Sequence, residues 1–161
     1  MSNLLLQPDL SGGSLIHDVT PSSAGWSHVG FGLHDLTAGG SVESGGTADE
    51  ICLVLLSGSV RIIADDLDTG LLQGRASVFD KVAPHAVYVP MKTAWRVEAG
   101  SDSELAVCRA PGTEGKLPPR LIGSQNMPLE TRGTGSNVRH VCNILPETEP
   151  ADSLLVVEVI T

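Results

Sequence analysis

At 161 residues, 41% apolar, with 18 glycines and 10 prolines, the chain can bury one domain's core and reads as a turn-rich β protein rather than a disordered one. A net charge of −9 without any cluster of Lys and Arg excludes a nucleic-acid surface, which depends on grouped cations facing phosphates. No apolar run reaches the roughly 18–20 residues of a membrane helix, and the start MSNLLLQPDL lacks the basic region of an export signal, so no membrane partner is expected.

In chain order, LIHDVTPSSAGW carries a turn at residues 21–25. Trp26 opens an alternating strand, WSHVGFGLHDL, in which Val29, Phe31 and Leu33 share the face expected in the core and His28, Gly30, Gly32 and His34 the other. TAGGSVESGGTADE is a Gly/Ser-rich connection without periodicity. The stretch DEICLVLLSGSVRII then organises the chain: an apolar run from Ile51 to Leu56, a Ser57-Gly58 turn and a returning apolar strand. Such a run, short and bounded by turn residues, predicts a strand buried on both faces in a hairpin of a sandwich or barrel.

A turn at residues 65–70, a short strand and a loop closed by Pro84 follow. Three more strands are expected around Val87 and Val89, around Trp95 to Ala99, and around Leu105 and Val107. Residues 111–138, rich in Pro, Gly and polar side chains, read as an irregular linker. The last strand, SLLVVEVIT, is apolar on both faces apart from Glu158 and calls for neighbours that no later residue provides. Strands at short intervals without a convincing helix predict an all-β, antiparallel β-sandwich or jelly roll. Cys52, Cys108 and Cys142, an odd number without CxxC spacing, read as buried reduced thiols, which favours the cytoplasm.

SAGWSHVGF, EICLVLLSG, GRASVFDKVAPHAVYVP, ELAVCRAP and RHVCNILPETEPADSLLVVEV, in this order, resemble the N-terminal half of the bacterial 5-deoxy-glucuronate isomerases of inositol catabolism. The resemblance implies a bicupin: two cupin-type double-stranded β-helix barrels in tandem. On that basis residues 1–110 are expected to form the first barrel, 111–138 the linker, and 139–161 the crossing segment and first strand of a second barrel that the chain does not include. It also implies an aldose–ketose isomerisation of a sugar-acid substrate, with a divalent metal held by His and Glu ligands in the second barrel. This chain alone is then expected to be inactive and structural.

The first barrel is expected to be metal-free. Counted back from Gly58, the Glu position of the cupin metal signature falls on Ile51 and the two His positions fall near Ser44 and Gly46. In the second signature Trp95 stands at the His position. None of these offers what Zn²⁺, Mn²⁺ or Fe²⁺ requires. Glu50 lies one residue away, which in a strand is the opposite face, and is expected to meet solvent or cap the strand.

His28 and His34 stand six residues apart, roughly 20 Å on one strand, too far to share an ion. His17 and His85 read as isolated surface histidines. Arg139 and His140, just before the crossing, are the candidate substrate-binding pair for an anionic sugar acid, against the plainer reading of a domain-interface salt bridge. Ser57-Gly58 lacks the surroundings of a nucleophile elbow, and Asp65-Asp66-Leu67-Asp68 lacks the rest of a calcium loop. The alternative to an isomerase module is a non-catalytic cupin that assembles through exposed strand edges into a homo-oligomer or binds a small molecule.

Overall fold

The computed structural model describes residues 5–161. Its strands are β1 (Leu15–Val19), β2 (Gly30–Leu36), β3 (Ser41–Ser44), β4 (Asp49–Ser57), β5 (Ser59–Ala64), β6 (Leu67–Gln73) and β7 (His85–Val89). β8 (Trp95–Ala99), β9 (Ser103–Pro111), β10 (Arg120–Ile122), β11 (Leu129–Arg132), β12 (Arg139–Leu145) and β13 (Val156–Ile160) complete them. One helical turn, α1 (Pro21–Ala24), replaces the expected turn. It is held by a capping box in which Thr20 and Ser23 bond each other's backbone N–H.

Three antiparallel sheets result. A six-stranded sheet runs β1-β2-β9-β4-β7-β10, a four-stranded sheet runs β3-β8-β5-β6, and a three-stranded sheet runs β11-β12-β13. The first two enclose the barrel interior, filled by Leu53, Leu55, Val60, Ile62, Val97 and Leu105 among others. The outer face of the six-stranded sheet is covered by the three-stranded one, and Cys52, Val54, Tyr88, Cys142, Ile144 and Leu154 fill the space between. β4 therefore alternates between two interiors, Ile51, Leu53 and Leu55 into one and Cys52 and Val54 into the other. A strand buried on both faces is apolar without alternation, and the run Ile51 to Leu56 was legible for that reason. The all-β, antiparallel jelly-roll fold is as expected.

Four expectations are corrected. The inward face of β2 is the reverse of the one expected: Leu36 lies in the barrel core, whereas Phe31 is 37% exposed and Val29 47%. Alternation distinguishes two faces but not which is covered, and over β1 and β2 the outer face has no second layer. The Gly/Ser-rich connection contains β3, which pairs with β8 from Ser41↔Glu98 to Ser44↔Trp95. The turn at 65–70 shrinks to Asp65-Asp66, with Asp65 in the left-handed region at φ 50°, because β6 already begins at Leu67. The segment 111–138, expected to be irregular, contributes β10 to the six-stranded sheet and β11 to the three-stranded one.

The cysteines are free; Cys52 and Cys142 are buried and Cys108 half-buried. Burial pushes the Cys108 and Cys142 thiols up to about 11 and Cys52 higher still, as expected of thiols that act as small hydrophobes. Among the described residues no helix is long and apolar enough to cross a membrane.

Gly58 turns β4 into β5 at φ +84°, and a Cβ there would collide with the backbone of Asp102 and Ser103. Gly58→Ala should therefore lower the unfolding free energy by about 2–3 kcal/mol, read from urea denaturation, with the far-ultraviolet spectrum of the folded protein unchanged.

Candidate functional site

Two segments a hundred residues apart meet at Glu50, the second residue of β4. Contrary to expectation, this side chain is 0% exposed. It does face away from Ile51, as the one-residue step requires, but that face is covered by residues 152–154. One carboxylate oxygen accepts from the backbone N–H of Asp152 at 2.8 Å and from the Tyr88 hydroxyl at 2.8 Å. The other accepts from the N–H groups of Ser153 and Leu154, each at 2.5 Å, and from the Ser153 hydroxyl at 3.0 Å. Burial and the bond to Glu50 push the Tyr88 hydroxyl well above the usual phenol range, so it stays a donor.

Asp152 returns the arrangement crosswise. Its carboxylate accepts from the N–H groups of Thr113, Glu114 and Gly115 at 2.9–3.0 Å. These donors, Gly115 and Glu114 foremost, hold its carboxyl below the usual range.

A second clamp joins the barrel to β13. Arg75 is buried and donates to the carbonyls of Leu56 at 2.9 Å and Val82 at 3.1 Å. Its remaining N–H groups form a two-pronged ion pair with Glu158, one prong at 2.8 Å. Glu158, the polar interruption in the last strand, is thus the inward-facing partner of a buried arginine. The guanidinium fork suits this bidentate contact.

β12 carries the candidate substrate-binding pair, and consecutive residues of a strand point to opposite faces. Arg139 turns outward with Arg132 onto a groove of about 500 Å³ floored by Val141, Leu145, Val157 and Val159. His140 turns the other way, beside Cys142 and Glu158, where its Nδ1 lies 3.2 Å from the Thr131 hydroxyl. The two side chains therefore cannot grip one ligand. Val157 and Val159 leave an apolar stripe on the outer face, 55% and 46% exposed.

Inside the first barrel, Ile51 and Trp95 belong to the buried core, and neither offers a metal-ligating atom. Ser44 pairs with Trp95 across β3 and β8, and Gly46 lies past the end of β3 at φ +93°. His34 stands on the inward face of β2, while His28 is exposed before the strand begins. His17 and His85, expected at the surface, are half-buried on β1 and β7, where strand pairing holds them. Burial pushes the His85 imidazole down. Among the described residues no group of three or more His, Cys, Asp or Glu is placed to hold a metal ion.

A profile of the KduI/IolB family matches residues 4–161. The chain is 47% identical over 143 residues to the 5-deoxy-glucuronate isomerase of Geobacillus thermodenitrificans, covering 89% of this chain and 52% of that protein. It is 37% identical over 166 residues to the protein of the same description from Bacillus subtilis strain 168, covering 100% of this chain and 61% of that one. Among solved structures, an IolB-like protein from Salmonella typhimurium LT2 superposes with a TM-score of 0.92 at 44% identity, over 98% of this chain and 59% of the other. The chain thus spans between about half and three-fifths of the length of these relatives. The protein YlbA from E. coli, at 15% identity and a TM-score of 0.59, shares the fold.

Glu50→Gln places an amide NH₂ among donors and should cost about 3 kcal/mol of stability, whereas Tyr88→Phe, which leaves the carboxylate its other donors, should cost about 1 kcal/mol, both read from urea midpoints. Because Asp152's folded pKa is depressed, its contribution is complete above the unfolded value near ~3.9 and drains away as pH falls through the folded one. Asp152→Asn should flatten that acid limb of the stability curve, measured by denaturation between about pH 6 and pH 3.

Proposed function

The chain belongs to the KduI/IolB family, and from that premise we propose that it serves as the N-terminal module of a 5-deoxy-glucuronate isomerase-type protein. The observation that carries this is the 47% identity to a protein of that description over 89% of the chain, coupled with a match to only 52% of the relative's length. The catalytic centre then lies in the part of the relatives that this chain does not match. The chain's own contribution is structural: it fixes one wall of the site and presents the outer face of the three-stranded sheet to the remaining domain.

The charge on that face supports the reading. Arg132 and Arg139 rim the groove above Val141, Val157 and Val159; the Arg132 fork is held by Glu130, and the Arg139 guanidinium at the edge of the apolar floor suits a sugar-acid carboxylate. Of the candidate pair, Arg139 keeps the substrate-binding role. His140, turned beneath the sheet, takes a positioning role through Thr131 and β11. The divalent metal that the resemblance implies does not fit the first barrel, where Ile51 and Trp95 fill the positions its ligands would need; we place it in the remaining domain. Three free thiols fit a reducing compartment, and the cytoplasm is the proposed location.

A second reading, an assembly module that pairs with its own copies, draws on one observation: β13 is the edge strand of its sheet and carries the exposed valines.

The assay is isomerisation of 5-deoxy-glucuronate by the 161-residue protein, alone and mixed with the unmatched C-terminal part of the Geobacillus thermodenitrificans relative expressed separately. No turnover alone and turnover on mixing are expected, with Arg139→Ala raising the KM of the mixture about tenfold or more. Turnover by the chain alone at the rate of full-length relatives overturns the module reading. Sedimentation across a concentration series decides the second reading: a monomer throughout defeats it.

A further inference from the structure

The mouth of the first barrel holds a cavity of about 210 Å³ that the proposed isomerase role does not use. Its floor is apolar, made by Val42, Ile51 and Val107, all part of or packed against the barrel core. Gly32 widens it, since a Cβ there would meet Leu15 at 3.5 Å, Val107 at 3.7 Å and the His17 carbonyl at 3.9 Å, ordinary contact distances. Above the floor stand His34, Ser44, Asp49, Trp95 and Arg109.

Their hydrogen-bonding capacity is unevenly spent. Arg109 is engaged by Asp18 at 2.5 Å. His34 places Nδ1 3.1 Å from the Ser14 hydroxyl, and burial, with Arg109 nearby, pushes its pKa down, leaving it neutral. Three groups remain. The Asp49 carboxylate, half-buried, has no donor or cation on it among the described residues. The Ser44 hydroxyl accepts from the Gly46 N–H at 3.4 Å and keeps its proton to give. Trp95 is 6% exposed, and its indole N–H is buried with no acceptor among the described residues. Asp49, Ser44 and Trp95 line the same cavity, so the open acceptor of Asp49 and the open proton of Ser44 mark a place where something else completes the set.

We propose that this mouth is a binding site for a small neutral polyhydroxy compound of monosaccharide size. A hydroxyl gives a proton to Asp49 and accepts one from Ser44, and vicinal hydroxyls do both at once. Asp18 and Asp49 set two carboxylates against the one guanidinium, which disfavours an anion. An organic cation satisfies Asp49 but offers the Ser44 hydroxyl proton no acceptor. The indole face and aliphatic floor suit the C–H face of a sugar ring. The site differs from the sugar-acid groove in its charge and its strands, and it stands independently of that assignment.

Isothermal titration of the full 161-residue protein with D-xylose, D-glucose and D-glucuronate tests it, the last two sharing a ring and differing by one carboxylate. A neutral sugar should bind at least about tenfold more tightly than glucuronate, and Asp49→Asn should weaken that binding about tenfold. Gly32→Val should abolish it while keeping the wild-type melting temperature within a few degrees. No heat from either neutral sugar at millimolar concentration, glucuronate binding as tightly as glucose, or unchanged affinity in Asp49→Asn each overturns the proposal.

Discussion

The buried carboxylate of Glu50 is the constraint on which the arrangement of the two layers depends. A carboxylate removed from water without partners is among the costliest groups a fold can hold. Among the described residues this one forms no ion pair; its partners are three consecutive backbone N–H groups, the Ser153 hydroxyl and the Tyr88 hydroxyl. Backbone donors are already fixed by the fold, so they solvate the charge without ordering long side chains. The consequence is positional. Residues 152–154 must curl around a point on β4, and the chain can enter β13 from only one direction.

Asp152 extends that control to the other side of the crossover. Its own N–H goes to Glu50 while its carboxylate gathers the N–H groups of residues 113–115, where the chain has just left β9. One residue thus ties the exit of the first barrel to the approach of the last strand. Arg75 and Glu158 then lock β13 itself, with the guanidinium held by two carbonyls of the barrel as well as by the carboxylate. Removing either member of that pair strands a buried charge, so the pair specifies register more than it adds net stability. Together the two clamps fix which face of the three-stranded sheet looks in, and hence that Arg132 and Arg139 look out.

The parts of this legible in the sequence are those governed by local pattern. β4 announced itself as a strand covered on both sides, and Ile51 and Trp95 could be read as unfit for a metal by residue type alone. The inward face of β2 could not be read that way. Phe31 is the bulkiest side chain on the strand, but Leu36 and the glycines share the buried side, and coverage is set by which sheet lies above, a long-range fact. Period two did separate Arg139 from His140, a consequence the sequence reading left undrawn. Glu50 was assigned to the correct face and the wrong environment, because most of its partners are main-chain groups a hundred residues away, which carry no side-chain signature. The one cue was compositional: an acidic residue at the head of an otherwise apolar run, with Tyr88 opposite Cys52 on the neighbouring strand.

The double burial of β4 also shows why the first barrel cannot regain a metal site simply by using the glutamate next door. Moving Glu50 into the interior requires a one-residue slip of the strand, which turns every side chain to the other face. Leu53 and Leu55 would leave the barrel core for the space where Cys52 and Val54 now fit, and smaller side chains would enter in their place. Both cores would be mispacked at once, and residues 152–154 would lose the charge that holds them. Each such loss costs more than a weak ion site returns. The barrel interior is therefore committed to aliphatic packing below its mouth, and any chemistry retained there is confined to the polar groups above Ile51, among them Ser44 and Asp49.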